Sequence, residues 1–246
     1  MRLDEVHCVI LAGGLGTRLR RVLGDVPKPL ASVQGRPFLE WLGRWLVASG
    51  VSAATLATGY RSEAIEQHFA NQPVAGLVVD CVCEGRPLGT GGGFLNAARC
   101  SGRTPGAWLV LNGDSLVLAD LKALVALLED SGADGAIVAR RVADAGRYGR
   151  LECEPGGRLR RFAEKDPGDA GPGLINAGVY LFRPTLLDRF PEQEPLSFEL
   201  DVFPTWLRSG VSIAVLESDD PFLDIGTESS LALADEFIRS NQERFP

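Results

Sequence analysis

Apolar and polar positions along this chain follow two periods. Val6 to Leu11 is a near-continuous apolar run, the pattern of a parallel strand buried on both faces. Residues 53–58, 77–82 and 108–111 repeat it. Between these runs the apolar positions return at helical spacing. Phe38, Trp41, Leu42, Trp45 and Leu46 form one stripe, with Gly50 as its stop, and the tryptophans read as core. Ser62 is placed to cap a second helix toward Phe69, and Asp120 to cap a third from Leu121 to Asp130. This alternation predicts βαβ units and a mostly parallel sheet, which takes its ligands at the carboxyl ends of its strands.

The second half has a different rhythm. Short strand patterns fall at 135–142, 148–153, 158–163 and 176–182, and helical patterns at 198–209 and 229–241. The stretch 166–173, rich in glycine, proline and aspartate, reads as a flexible loop. No internal repeat or low-complexity tract interrupts the chain. The expected organisation is a single domain over 1–246, with a nucleotide-binding half to about 134 and an acceptor-binding half from about 135.

The first strand runs into Leu11-Ala12-Gly13-Gly14-Leu15-Gly16-Thr17-Arg18-Leu19, with Pro27-Lys28-Pro29 downstream. Three glycines let backbone N–H groups approach an anion, and Arg18 adds a fork of donors suited to phosphate oxygens. A P-loop would need Gly-Lys-Ser/Thr, and here Thr17-Arg18 follows Gly16. A dinucleotide fingerprint would need a small residue at Leu19 and an acidic residue ending the second strand, which instead runs into Gly59-Tyr60-Arg61. A triphosphate-binding loop is the expectation, against the plainer reading of a ligand-free turn.

Other strand ends carry candidates. Leu109-Val110-Leu111-Asn112-Gly113-Asp114 ends a buried strand with a carboxylate suited to Mg²⁺, or to capping the next turn. Asp224, in Phe222-Leu223-Asp224-Ile225-Gly226-Thr227, is a second metal candidate and equally a turn or capping residue. Glu84 to Gly93 is a second glycine-rich segment, before a helix starting near Gly92. It reads as a close approach to a base or ribose, or as a flexible connection. Glu84 itself is a candidate acceptor for the guanine N1–H and amino group, or a surface charge. Tyr148-Gly149, Glu164-Lys165, Asn176 and Gly178 each read singly as surface or turn residues; together, on consecutive strand ends, they suit sugar hydroxyls and a sugar phosphate.

Composition narrows these readings. The 246 residues are 45% apolar, enough for a sizeable core, and no apolar run approaches the roughly 20 residues of a membrane span. The acidic N-terminus lacks a signal-peptide core, so a cytoplasmic protein is expected. Five scattered cysteines without Cys-x-x-Cys spacing read as reduced core thiols rather than a zinc site. Two histidines argue against a Ser-His-Asp triad. A net charge of −7 argues against a general nucleic-acid binder, so positive charge for a polyphosphate must be local. Of 25 basic residues only Lys28, Lys122 and Lys165 are lysines. Lys28 and Lys165 therefore suit tasks for a compact point charge, and Lys122 reads as a solvated surface charge.

Together these residues resemble the sugar-1-phosphate nucleotidyltransferases. The resemblance rests on Gly13 to Leu19, Pro27-Lys28-Pro29, Pro87-Leu88-Gly89-Thr90-Gly91, Asn112-Gly113-Asp114, Tyr148-Gly149, Phe162-Ala163-Glu164-Lys165, Asn176 to Tyr180 and Asp224-Ile225-Gly226-Thr227, spanning nearly the whole chain in family order. Pro37-Phe38-Leu39, Arg147-Tyr148-Gly149 and Ser197-Phe198-Glu199 look most like bacterial D-glycero-D-manno-heptose 1-phosphate guanylyltransferases. Arg21 and Leu200 depart from the family, standing where proline and lysine are common.

The resemblance implies an α/β protein with a three-layer αβα, Rossmann-like nucleotide-diphospho-sugar transferase fold and a mostly parallel mixed sheet. It implies the reaction of an NTP with a sugar 1-phosphate to give an NDP-sugar and pyrophosphate. GTP and the heptose phosphate are the leading substrates; mannose 1-phosphate with GTP, or glucose 1-phosphate with UTP or dTTP, are the alternatives. By matched position, Arg18, Lys28 and Asp114 would be catalytic. Leu11, Ala12, Gly13, Gly14, Gly16, Thr17, Glu84, Pro87, Gly89, Thr90, Asn112 and Gly113 would bind the nucleotide. Tyr148, Gly149, Glu164, Lys165, Asn176 and Gly178 would bind the sugar phosphate, and Asp114 and Asp224 would hold Mg²⁺. No nucleic acid or membrane partner is expected, and a homo-oligomer is left open. A non-catalytic nucleotide-sugar sensor is the reading from another class.

Overall fold

The computed structural model describes residues 1–146, 148–163 and 171–245. The first half runs β1 (Val6–Ala12), α1 (Arg20–Leu23), β2 (Ser32–Val33), β3 (Arg36–Pro37), α2 (Phe38–Ala48), β4 (Ala53–Thr58), α3 (Ser62–Asn71), β5 (Val78–Cys83), α4 (Gly89–Cys100), β6 (Ala107–Asn112), β7 (Ser115–Val117) and α5 (Leu121–Asp130). The second half runs β8 (Gly135–Val142), β9 (Arg150–Cys153), β10 (Leu159–Ala163), β11 (Gly173–Phe182), α6 (Phe203–Arg208), β12 (Ile213–Glu217), β13 (Phe222–Asp224), α7 (Glu228–Ala232) and α8 (Ala234–Ser240).

Nine of these strands make one sheet across both halves, in the order β10-β9-β11-β6-β1-β4-β5, with β8 paired to β11 and β12 to β8. β6, β1, β4 and β5 are parallel, and β12 is parallel to β8. β11 runs antiparallel to both β6 and β8. The sheet is mixed because β11 enters from the second half beside β6.

Alternation along β1 builds two cores. Val6, Cys8, Ile10 and Ala12 face one layer, with residues of α2, α3, α5 and α8; Val9 faces the other, with α4 and α6. Helices thus cover both faces, the three-layer arrangement expected. α2 packs Phe38, Leu39, Leu42, Trp45 and Leu46 inward and stops as Gly50 takes φ 96°. Asp120 caps α5, accepting from the Lys122 and Ala123 N–H groups.

Several expectations need correction. Arg61, at φ 55°, is the N-cap of α3, and Ser62 is its first helical residue, because the turn from Gly59 closes one position early. α4 begins at Gly89, not Gly92. The helical pattern 198–209 opens as one π-helical turn, Phe198–Val202, before α6. The pattern 229–241 breaks at Leu233 into α7 and α8. All five cysteines are free, but only Cys8 is buried. Cys81 and Cys83 lie on β5 at the sheet edge, where one side of the strand is left uncovered. Burial pushes the Cys8 thiol up, and burial followed by the charges of Glu66 and Asp80 takes Cys81 to about 11. Among the described residues, no helix is long and apolar enough to cross a membrane.

Candidate active site

The chain leaves β1 for β4 and β5 on one side, then returns to β6 on the other. The carboxyl ends of β1 and β6 therefore mark the switch point of the parallel part, where such sheets open a crevice. Leu11 lies opposite Asn112, and the Gly113 N–H donates to the Leu11 carbonyl (2.9 Å). The first loop and Asp114 thus leave neighbouring strands together.

The loop is pinned behind the glycines. Leu19, fully buried, ends a 3₁₀ turn (Thr17–Leu19), and its N–H donates to the Gly16 carbonyl (3.0 Å). Arg20 stacks over Tyr60 at 5.4 Å, and Arg61 pairs with Asp25 at 3.1 Å. Arg18 stays exposed and makes no ion pair with a described residue. Lys28 sits between buried Pro27 and Pro29, its side chain only 12% exposed, and its ammonium donates to Asp114 Oδ2 (2.7 Å).

Asp224 reaches Asp114 through two three-residue strands that the sequence pattern does not reveal. β7 pairs with β13 so that Asp224 lies opposite Ser115, and the Ile225 N–H donates to the Asp114 carbonyl (2.9 Å). Asp224 Oδ1 accepts from the Gly226 N–H (2.5 Å). No group of three or more His, Cys, Asp or Glu suited to a metal occurs among the described residues. Two carboxylates do fit Mg²⁺, a hard cation that binds through one or two protein carboxylates and fills its shell with water and phosphate oxygens. The histidines take no part. His7 is buried on β1, bonded to Thr55 (2.8 Å), its imidazole pushed down by burial and then by Arg103; His68 lies on α3 near Glu40.

Glu84 lies between the two glycine-rich segments. Its Oε2 accepts from the Leu88 N–H (3.1 Å), while a Cβ on Gly13 or Gly59 would stand 2.7 Å from Oε1. Burial raises this carboxyl above its ordinary range, against a smaller opposite pull from the Leu88 N–H. The second segment turns most of its glycines to the protein itself. The Gly91 and Gly92 N–H groups donate to the Leu196 carbonyl (2.9 and 3.2 Å), and the Leu196 N–H to the Leu88 carbonyl (2.7 Å). The close approach expected toward a base is, at these glycines, an approach to Leu196.

On the acceptor side, Gly178 sits in an irregularity of the β11–β8 pairing at φ 76°, and a Cβ there would come within 2.8 Å of Asn112 Nδ2 and Ser115 Oγ. Asn176 Oδ1 accepts from the Gly178 N–H (2.9 Å), and its Nδ2 donates to the Tyr180 hydroxyl (2.7 Å). Burial, then the charge of Glu199, pushes the Tyr180 phenol up. Asn112 Oδ1 is buried without a hydrogen-bond partner among the described residues.

One cavity of about 590 Å³ gathers these parts. Leu11, Ala12, Gly13, Gly14, Gly16, Thr17 and Arg18 line it from the first loop, with Lys28 beside them. Glu84, Pro87, Gly89 and Thr90 line a second wall, and Asn112, Gly113, Asp114 and Asp224 its floor. Tyr148, Gly149, Asn176 and Gly178 line the acceptor side. Glu164 and Lys165 lie outside the described residues. Ser115, Phe162, Ser197, Glu199, Leu200 and Phe222 also line the cavity, unassigned from the sequence. Ser197 and Glu199 belong to a segment whose signal was only its likeness to relatives; their bond to each other and that of Glu199 to Thr90 exist only in the fold.

The chain matches the family described as nucleotidyl transferase over residues 7–241. It is 37% identical over 211 residues to a mannose-1-phosphate guanylyltransferase of Mycobacterium tuberculosis, covering 85% of this chain but 58% of that protein. It is 33% identical over 221 residues to a D-glycero-alpha-D-manno-heptose 1-phosphate guanylyltransferase of Aneurinibacillus thermoaerophilus, covering 90% of this chain and 93% of that one. Among solved structures it is similar to HddC from Yersinia pseudotuberculosis, with TM-score 0.82 and 33% identity over 94% of this chain and 98% of that chain. HddC has also been solved complexed with GMP-PN.

Proposed function

The chain belongs to the nucleotidyl transferase family, and from that premise we propose that it joins a nucleotide to a sugar 1-phosphate and releases pyrophosphate, with GTP and D-glycero-D-manno-heptose 1-phosphate as substrates. The observation that carries the reaction is the meeting of Arg18, Lys28, Asp114 and Asp224 in one cavity between the two halves. The heptose substrate is supported by relatives of nearly this chain's own length whose names carry it. A second reading, mannose 1-phosphate, is supported by the 37% identity to the Mycobacterium protein, whose length this chain spans only to 58%.

The acceptor's phosphate oxygen is already an anion, so it needs no strong general base. It forms a bond to the α-phosphorus of the nucleotide as the bond to pyrophosphate breaks. Bringing two anions into line and neutralising their repulsion is the main task. Arg18, exposed and without an ion pair among the described residues, receives the departing pyrophosphate. Lys28 supplies a compact charge at the reacting centre from a nearly buried stem. Asp114 and Asp224 would hold Mg²⁺, which would neutralise phosphate charge there. Glycines 13, 14 and 16 cradle the triphosphate, and Glu84 accepts from the guanine N1–H and amino group. Gly149, Asn176 and Gly178 shape the sugar pocket, with Tyr148 beside it; Glu164 and Lys165 are assigned to the sugar and its phosphate on the family resemblance alone.

Pyrophosphate release with Mg²⁺ tests this, crossing GTP, ATP, UTP, CTP and dTTP with the 1-phosphates of D-glycero-D-manno-heptose, mannose and glucose. A dominant GTP–heptose signal is expected. A dominant signal in another pair replaces the substrates and keeps the reaction. No signal in any pair, with nucleotide still bound, overturns the reaction in favour of a sensor.

A further inference from the structure

The wall formed by residues 196–200 is held unusually firmly. Phe198 packs among Phe94, Tyr180, Phe182, Phe190 and Phe203, with ring centroids 5.3–6.1 Å apart. Leu196 is tied by backbone bonds to Leu88, Gly91 and Gly92. With residues 196 and 198 fixed inward, Ser197, Glu199 and Leu200 line the cavity.

Glu199 is built to present a carboxylate. Its Oε2 accepts from the Ser197 hydroxyl (2.9 Å) and the Thr90 hydroxyl (3.3 Å). Thr90 in turn accepts from the Phe198 N–H (2.9 Å), which leaves its own proton for Glu199. Both donors converge on Oε2, and Oε1 has no hydrogen-bond partner among the described residues; nor does any described cation pair with Glu199. Leu200, 60% exposed, adds an apolar neighbour.

An uncompensated carboxylate repels the phosphates that the rest of the cavity attracts. It suits a neutral, donor-rich part of a substrate. We propose that Glu199 is a specificity-determining residue whose Oε1 accepts hydrogen bonds from hydroxyl groups of the sugar 1-phosphate, with Thr90 and Ser197 as its positioning residues. This rests on the proposed reaction. Charge-assisted O–H···O⁻ bonds are short and strong, and a site built to bond a hydroxyl discriminates against the analogue that lacks it.

The test uses Glu199→Ala and Glu199→Gln, with the sugar 1-phosphate preferred by the wild type and its singly deoxygenated analogues. Glu199→Ala is expected to raise KM for the sugar phosphate by about tenfold or more while KM for the NTP stays put. The wild type's preference over at least one deoxy analogue should collapse in the same variant. Equal rises in both KM values, or discrimination unchanged at every hydroxyl, would overturn the proposal. Glu199→Gln keeps an acceptor for Ser197 and Thr90, so it serves if the alanine variant does not fold; an unchanged KM and unchanged discrimination there also overturn it. If the wild type releases no pyrophosphate from any pair, the reaction has failed rather than this residue. Calorimetric titration of the sugar 1-phosphates into wild type and variant then decides: weaker binding by the variant supports Glu199, and equal or absent binding by both overturns it.

Discussion

Gly14 at the centre of the first loop faces open space, whereas Gly89, Gly91 and Gly92 of the second segment face the chain. A Cβ on Gly14 would meet nothing within 4 Å. One on Gly89 would collide with the Leu196 carbonyl, and one on Gly91 would stand 2.8 Å from Val202. Both segments follow parallel strands and border the same cavity. The first leaves the backbone at Gly14 open toward the cavity. The second gives up side chains so that the two halves can touch through Leu196, and by doing so it carries Glu199 into the cavity. Glycine density therefore reports that a backbone comes close, and the partner must be found separately.

If the first loop serves ligand and the second serves packing, substitutions should separate activity from stability. The largest effect is expected at Lys28, whose Cβ lies against Gly16. Lys28→Ala should lower kcat by roughly 10²–10³-fold, the scale of losing one preorganised charge at a reacting centre. Its ion-pair partner Asp114 is 43% exposed, so losing the pair should lower the unfolding free energy by about 1 kcal/mol or less. Near-normal turnover would remove Lys28 from the reaction; a large stability loss would make the first region structural as well.

The reverse pattern is expected at Gly89. Its φ of +78° strains any side chain, and the Leu196 carbonyl occupies the space a Cβ needs. Gly89→Ala should cost about 3 kcal/mol or more, or roughly 6–12 °C in Tm for a chain of this size. Gly14→Ala should stay within about 0.5 kcal/mol of wild type and act instead on KM for the nucleotide. Denaturant unfolding of the pair reads both, and equal destabilisation would erase the contrast.

What the sequence reveals follows the same division. β1, β4, β6, α2 and α5 are legible because each carries an unbroken apolar run or a capped stripe, signals confined to a few neighbouring residues. The residues at their carboxyl ends, from Gly13 to Arg18 and from Asn112 to Asp114, are legible with them, since a parallel sheet dictates where ligands approach. β7 and β13 are not, because three residues carry no period; yet their pairing alone brings Asp224 beside Asp114. The role of Leu196 is equally hidden. Its partners are backbone atoms of another segment, and no side-chain pattern records them. Glu199 escapes for a related reason, since its placement depends on five rings drawn from both halves.

Thr90 ties the second segment to residues 198 and 199 and should give an intermediate effect. Thr90→Val keeps the shape of the side chain and removes the hydroxyl that accepts from the Phe198 N–H. Leaving that N–H without a partner should cost about 1–2 kcal/mol. Thr90→Ser should recover most of it. If valine is neutral, the 196–200 wall is held by the aromatic packing alone, and the second segment matters less than its glycines suggest.

The smallest effect is a matter of pH at Glu84, where the two segments meet. Burial holds its carboxyl above the ordinary value of 4.5, with the Leu88 N–H pulling the other way. As pH rises, the unfolded chain releases this proton first, and the folded chain keeps it until its higher value is passed. Within that window the folded state binds more protons, so Glu84's contribution to stability falls as pH rises. Below 4.5 the group is protonated in both states and contributes no pH dependence. Glu84→Gln carries no proton to lose. Urea midpoints measured from about pH 4 to 7 should therefore move in the variant's favour relative to wild type. A guanine base, offering two N–H donors to the carboxylate, would reverse the penalty. GTP should then protect the wild type more strongly at pH 7 than at pH 4, and the variant should lack that dependence. A wild type whose protection by GTP does not change with pH would leave Glu84 as a support between the two glycine-rich segments, without a part in reading the base.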